Sequence, residues 1–195
     1  YGLEKSADDF LCDCLFPTRS YFGCFTAQSL QPQSSNVTQT DFLGNEIGYT
    51  KRMKKVDCPL CIDDGGICLV RTKQYRIVAP REPEFLGLIR VIWNDHVVEM
   101  TDLEISPRND FMRAVYFVED SVRQMMHPDK INLASLGNVV PHLHWHIIPR
   151  WLDDSYFPLP IWGQRQREIS AEKVSQRQSD EQLLMRHIQE QQLEG

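Results

Sequence analysis

No stretch of this chain is apolar for long enough to cross a bilayer as a helix, which needs roughly 18 to 20 such residues in a row; its apolar runs are all broken sooner. An excess of basic charge is missing too. The 195 residues carry a formal net charge of −6, which argues against coating nucleic acid or a polybasic membrane role, since such surfaces are strongly positive. A small anionic ligand stays compatible, because a few residues can build a positive pocket in an acidic protein. The layout of a secretory leader is also lacking: Asp8, Asp9 and Asp13 flank or interrupt the apolar stretch at 10–16. The expected compartment is therefore the cytoplasm, with neither membrane nor nucleic acid among the partners. There is no internal repeat. Without secretion, the six cysteines read as free thiols or a metal site, not a disulfide framework. Cys58 and Cys61 form a CxxC pair, and Cys68 reads as a small core residue.

What is present changes along the chain. Residues 1–52 read as an extension: segment 27–50 is rich in Gln, Ser, Asn and Thr and has no helical or strand period. Met53 reads as the natural start. Residues 53–165 form the patterned domain, and residues 166–195 a polar helical tail over 170–192, with Val174, Leu183, Leu184 and Ile188 as docking points. Short strands are expected at 67–70, 75–79 and 87–93. A helix follows over 106–127, with Ser106 as N-cap and Pro107 at its first position. Phe111, Val115, Val118, Val122 and Met125 make its apolar stripe, and Pro128 ends it. Two more strands are expected at 130–136 and 142–149.

The last strand carries the chemistry. Alternate strand residues share a face, so His142, His144 and His146 line one side while Leu143, Trp145 and Ile147 face the other. Three imidazoles in strict alternation are costly as packing, because each buried ring needs hydrogen-bond partners. That leaves a bare metal-binding row or catalysis as the stronger readings. A neutral imidazole is a competent nucleophile near pH 7, and covalent capture splits one hard displacement into two easier ones. His127 reads as a helix-end residue, and His187 as solvated.

The segment from Asn132 through Gly137, Asn138 and the histidine row to Pro149-Arg150 resembles the His-φ-His-φ-His-φ-φ motif of the histidine triad (HIT) family, where φ is hydrophobic. The resemblance covers about residues 57–163. The closing residues Phe157-Pro158 and 160–163 are similar to a bacterial branch described as diadenosine tetraphosphate hydrolase-like. The resemblance implies an α+β fold: a five-stranded antiparallel sheet with one long helix, pairing into a ten-stranded sheet in a homodimer. It also implies a nucleotide substrate, no organic cofactor, and attack on the α-phosphorus of dinucleoside polyphosphates or related conjugates through a nucleotidyl-histidine intermediate. His144 would be the nucleophile and His146 would contact phosphate oxygens or handle the leaving-group proton. His142 would be the third catalytic member, and Asn132, Gly137 and Asn138 would bind the phosphate. The related transferase branch has Gln in place of the third histidine, so His146 favours water as final acceptor. One departure is Val139, where many relatives carry a phosphate-binding hydroxyl; this puts phosphoramidate substrates in doubt. Trp151, Tyr156 and Trp162 are candidate pocket walls.

The same resemblance completes a zinc site. Cys58 and Cys61 would be joined by His96 and His142, with His127 as substitute ligand. Four protein ligands leave no open position, so such an ion is structural. Two other readings follow from these residues: a zinc-stabilised nucleotide-binding module with little catalysis, and a catalytic metal held by the three histidines.

Overall fold

A computed structural model describes residues 54–80 and 82–191. The extension expected at 1–52 and the start expected at Met53 lie outside the described residues. Five strands form one antiparallel sheet: β1 (Ile67–Arg71), β2 (Tyr75–Ala79), β3 (Ile89–Trp93), β4 (Lys130–Ala134) and β5 (His144–Arg150), in spatial order β1-β2-β3-β5-β4. Among the described residues, three α-helices accompany it: the single turn α1 (Pro59–Ile62), the long α2 (Ile105–Met126) and α3 (Ala171–Gln191). No helix among the described residues is long and apolar enough to cross a membrane.

The period-two pattern of the strands divides the sheet chemically. On one face Leu69, Ile77, Ala79, Ile89, Val91, Trp93 and Ile147 join Phe111, Val115, Val118 and Val122 of α2 and Leu184 and Ile188 of α3 in the main core. On the other face Val78 and Ile92 pack with Cys58, Leu60 and Cys61 of the α1 segment, and Ile148 packs with Leu88 and Ile161. His144 and His146 stand on this second face, because they pair across the ladder with Ile92 and Arg90.

Several boundaries differ from expectation for local reasons. The long helix starts at Ile105, not Ser106: Glu104 is the N-cap in extended geometry, and its carbonyl accepts from the Arg108 amide at 3.0 Å. Ser106 and Pro107 thus fall in the first turn, where a missing amide donor costs nothing. The helix does end at His127, which adopts φ 46° before Pro128. Strand β3 starts at Ile89 because Gly87 takes φ +77° and donates its amide to Glu181 Oε1 of α3 at 2.8 Å. That φ strains any L side chain, and a Cβ there would also meet the tip of Met126 at 2.7 Å, so the turn favours glycine. Strand β4 stops at Ala134, and β5 begins at His144; His142, expected inside the strand, sits in the bend before it, its amide donating to the Val140 carbonyl at 2.8 Å. The helix expected over 170–192 is α3; of its expected docking points Leu184 and Ile188 bury fully while Leu183 stays exposed, so α3 docks by one narrow stripe.

Candidate active site and metal cluster

His144 opens β5 on the second face, paired with Ile92, and is buried. Its Nδ1 lies 2.5 Å from the carbonyl oxygen of His142. A carbonyl only accepts, so Nδ1 carries the proton and Nε2 keeps its lone pair. Burial pushes the His144 pKa down, with the charge of Arg90 adding to this and the His142 carbonyl opposing it. The ring is therefore neutral at pH 7 with one nitrogen free to attack. Ser135 donates its hydroxyl to the His144 carbonyl at 3.1 Å, pinning the strand across the loop that precedes it.

His146 lies edge-on to His144, ring centroids 4.8 Å apart. Its Nδ1 is 3.3 Å from the Ala134 carbonyl on β4. Burial, then the neighbouring His144 and Arg90, lower its pKa to about 4 against the opposing pull of that carbonyl. Trp162, half exposed, stands edge-on to His146 at 5.4 Å. Of the other candidate walls, Tyr156 tilts against Phe85 and Trp151 stacks under the Arg177 guanidinium at 3.9 Å. Trp151 and Tyr156 line a cavity of about 210 Å³ with Ile148, Arg150 and Ile161, beyond the histidine row.

Asn132 pairs with Ile148 in the ladder and so shares the histidine face. Its Oδ1 accepts from Arg150 Nη1 at 3.1 Å, leaving its amide protons for a ligand. Arg150 is buried and held by both oxygens of Asp154; Asp154 also accepts from the amides of Trp151, Tyr156 and Phe157. Gly137 and Asn138 fall in the loop between β4 and β5. Asn138 is exposed, its side chain hydrogen-bonded to no described residue, and Val139 is 93% exposed. Asn132 shares the sheet face of His144 and His146, while no hydrogen bond among the described residues joins Gly137 or Asn138 to the imidazoles.

The ring of His142 turns elsewhere. Its Nε2 lies 2.7 Å from the Trp93 carbonyl, and its Nδ1 faces Cys58 Sγ at 3.4 Å and Cys61 Sγ at 3.5 Å. His96 Nδ1 lies 3.4 Å from Cys61 Sγ. Of the three roles expected of the row, His142 thus offers its carbonyl to His144 and its ring to the cysteines. The four ligand atoms of Cys58, Cys61, His96 and His142 all lie within 4.8 Å of one another. A tetrahedral zinc with Zn–S near 2.3 Å and Zn–N near 2.05 Å has S-to-N edges of about 3.5 Å, the separation found for Cys58 and His142, Cys61 and His142, and Cys61 and His96. Burial is the main cause raising the Cys61 thiol pKa, so a cation is needed to hold thiolate there. The Trp93 carbonyl accepting from His142 would serve as the outer partner that fixes a ligating imidazole. His127 and His187 lie outside this cluster. Cys68 is half-buried against it.

Sequence reasoning missed three supporting residues. Arg76 is buried and donates to the carbonyls of Leu60, Asp63 and Asp64 and to Asn94 Oδ1, clamping the cysteine turn onto β2. Ser135 gave no signal, since its contact depends on the path of the loop. Arg90 gave only an ambiguous one, as the lone charge in β3, since such a residue can equally face water.

Residues 66–151 match the family model for the HIT domain. In fold the chain is similar to a histidine triad protein from Bradyrhizobium japonicum, at 24% identity and a TM-score of 0.50, over 63% of this chain and 92% of that one. It is also similar to a histidine triad protein from Marinobacter aquaeolei, at 20% identity and 0.51, over 64% and 92%. A zinc-bound histidine triad family protein from Mycobacterium smegmatis is similar at 19% identity and 0.51, over 71% and 98%. Among curated proteins, none matches the sequence. The expected α+β architecture with its five-stranded antiparallel sheet is the one found.

Proposed function

We propose that the HIT domain matched at residues 66–151 makes this chain a nucleotide hydrolase that cleaves at the α-phosphate of dinucleoside polyphosphates or related conjugates. The observation that carries this reading is the 2.5 Å contact between His144 Nδ1 and the His142 carbonyl, which leaves Nε2 unprotonated on the face shared with His146. In the first half-reaction Nε2 bonds to the α-phosphorus, the bond to the leaving phosphate oxygen breaks, and that oxygen keeps the electron pair. The new imidazolium keeps its Nδ1 proton on the His142 carbonyl. In the second, water bonds to phosphorus, its proton passes to the neutral His146, and the electrons of the P–N bond return to His144. Asn132 supplies amide donors to the phosphate, with Gly137 and Asn138 closing from the loop when substrate is present.

Cys58, Cys61, His96 and His142 have the donor set and spacing for zinc. As a four-ligand ion it would be structural and would fix the His142 backbone that orients His144. The zinc-bound fold relative supports that choice of metal. The edge strand β4 offers a route to the homodimer, since a second copy paired there would give ten strands; sedimentation at twice the chain mass tests it. An alternative reading, a zinc-stabilised nucleotide binder with little turnover, draws on the exposed Val139, where a hydroxyl would be expected.

A His144→Ala variant separates the two. The hydrolase reading expects turnover on a panel of dinucleoside polyphosphates to vanish while nucleotide binding persists. Unchanged turnover would remove His144 from the mechanism, and a wild-type chain that binds the panel but releases no product favours the binder.

A further inference from the structure

Four strand arginines rise from the second face of the sheet: Arg71 lies on the edge strand β1 against Asp64, three strands from the histidines, and two of the others are fully occupied. Arg76 is spent on backbone carbonyls around the cysteine turn, and Arg150 on Asp154, Asn132 and the Leu159 carbonyl. Arg90 differs. It occupies the middle of the sheet on β3, directly across the ladder from His146, a pairing that puts Cβ atoms roughly 4.5–5.5 Å apart. Its side chain is 20% exposed, and its one ion pair among the described residues is with Glu82 through Nη2. Its Nε is buried with no partner among the described residues. A guanidinium has five N–H donors, so a single carboxylate leaves most of them unused. Arg108 also has an unpaired buried Nε, but it sits at the start of α2, away from the histidines.

Resting on the nucleotide reading above, we propose that Arg90 binds the phosphate next to the one His144 attacks, and so selects substrates in which the leaving group is itself a phosphate. As the bond to the leaving oxygen breaks, negative charge builds on that group. A planar guanidinium beside it pairs two phosphate oxygens at once and stabilises charge that appears only as the bond breaks. The charge of Arg90 already reaches the ring of His146, its partner across the ladder. An amine leaving group has no phosphate oxygen for Arg90 to hold. The substrate class is thus a nucleoside 5′-conjugate with at least a β-phosphate. In the free protein Glu82 holds the place of that anion, and the incoming phosphate displaces it.

Equilibrium binding of AMP, ADP and ATP without magnesium tests this on the full chain, for wild type, Arg90→Gln and Glu82→Gln. Wild type binds ADP about tenfold more tightly than AMP, the size of one charge-assisted contact. Arg90→Gln brings the two within about twofold, with AMP affinity little changed, and Glu82→Gln widens the wild-type gap by removing the competing carboxylate. A wild-type ratio near one, or a ratio that survives Arg90→Gln, overturns the proposal. Should Arg90→Gln fail to fold, Glu82→Gln decides: an unchanged ratio there also overturns it. The two readings fail separately. Arg90-dependent preference for ADP without product formation refutes the hydrolase and leaves Arg90 a phosphate ligand; turnover with Arg90-independent preference does the reverse.

Discussion

His144 and His146 are neutral for one shared physical reason, burial, and that gives the face a characteristic response to acid. The folded-state pKa of His146 is about 4, below the unfolded histidine value of about 6.5. Between those values the unfolded chain takes the proton more readily. Stability from this group is therefore whole above about pH 6.5, declines as pH falls, and is lost by about pH 4, a change of about 3 kcal/mol. His146→Gln should flatten that part of the stability curve, measured by denaturant unfolding at stepped pH. A variant curve parallel to wild type would mean that His146 is not held neutral by its surroundings. At this scale the site was legible where residue type and period coincide: three imidazoles at alternate positions rarely serve packing alone. Arg90 was not, because a single charge in an apolar strand also describes a residue facing water, and only the ladder pairing with His146 distinguishes the two. Nor was the different orientation of His142, which depends on where the cysteine turn folds.

At the scale of elements, α2 and α3 show what a pattern can carry. The stripe of α2 repeats at three- and four-residue spacing, and Phe111, Val115, Val118 and Val122 all bury fully. The sequence of α3 is mostly polar, and its docking rests on Leu184 and Ile188, one turn apart. The spacing located these two but could not show that they enter the main core; that follows from the contacts of α3 with α2 and β1. Leu184→Ala should cost about 3 kcal/mol, the usual range for emptying a fully buried leucine site. Thermal or denaturant unfolding checks it, and a loss under about 1 kcal/mol would mean that α3 is only laid against the sheet. The first turn of α2 marks another limit. Serine before proline is a good start signal, yet the chain turns helical at Ile105, and neither residue shows this alone.

Across the whole molecule, the metal cluster joins three separate stretches: the cysteine turn, the segment after β3, and the start of the histidine strand. They are 35 to 84 residues apart in sequence. A zinc ion held there would cross-link α1 to the histidine face, beside the Arg76 clamp. Elemental analysis should find about one zinc per chain, and Cys58→Ser should lose it together with several degrees of thermal stability. Full metal content in that variant, or none in wild type, would mean that the cluster holds no zinc. Metal stripping should slow turnover through displacement of His144, because the four ligands leave no position for substrate.

Everything turns on whether His144 forms a bond to phosphorus. Brief incubation with a labelled adenylyl donor, a quench in alkaline denaturant that spares the P–N bond, and peptide mass spectrometry address it directly. The prediction is an adenylyl group on His144, stable in alkali, lost at low pH, and absent from His144→Ala. Product release from wild type with no adenylylated peptide at any quench time, or a label on another residue, would contradict it.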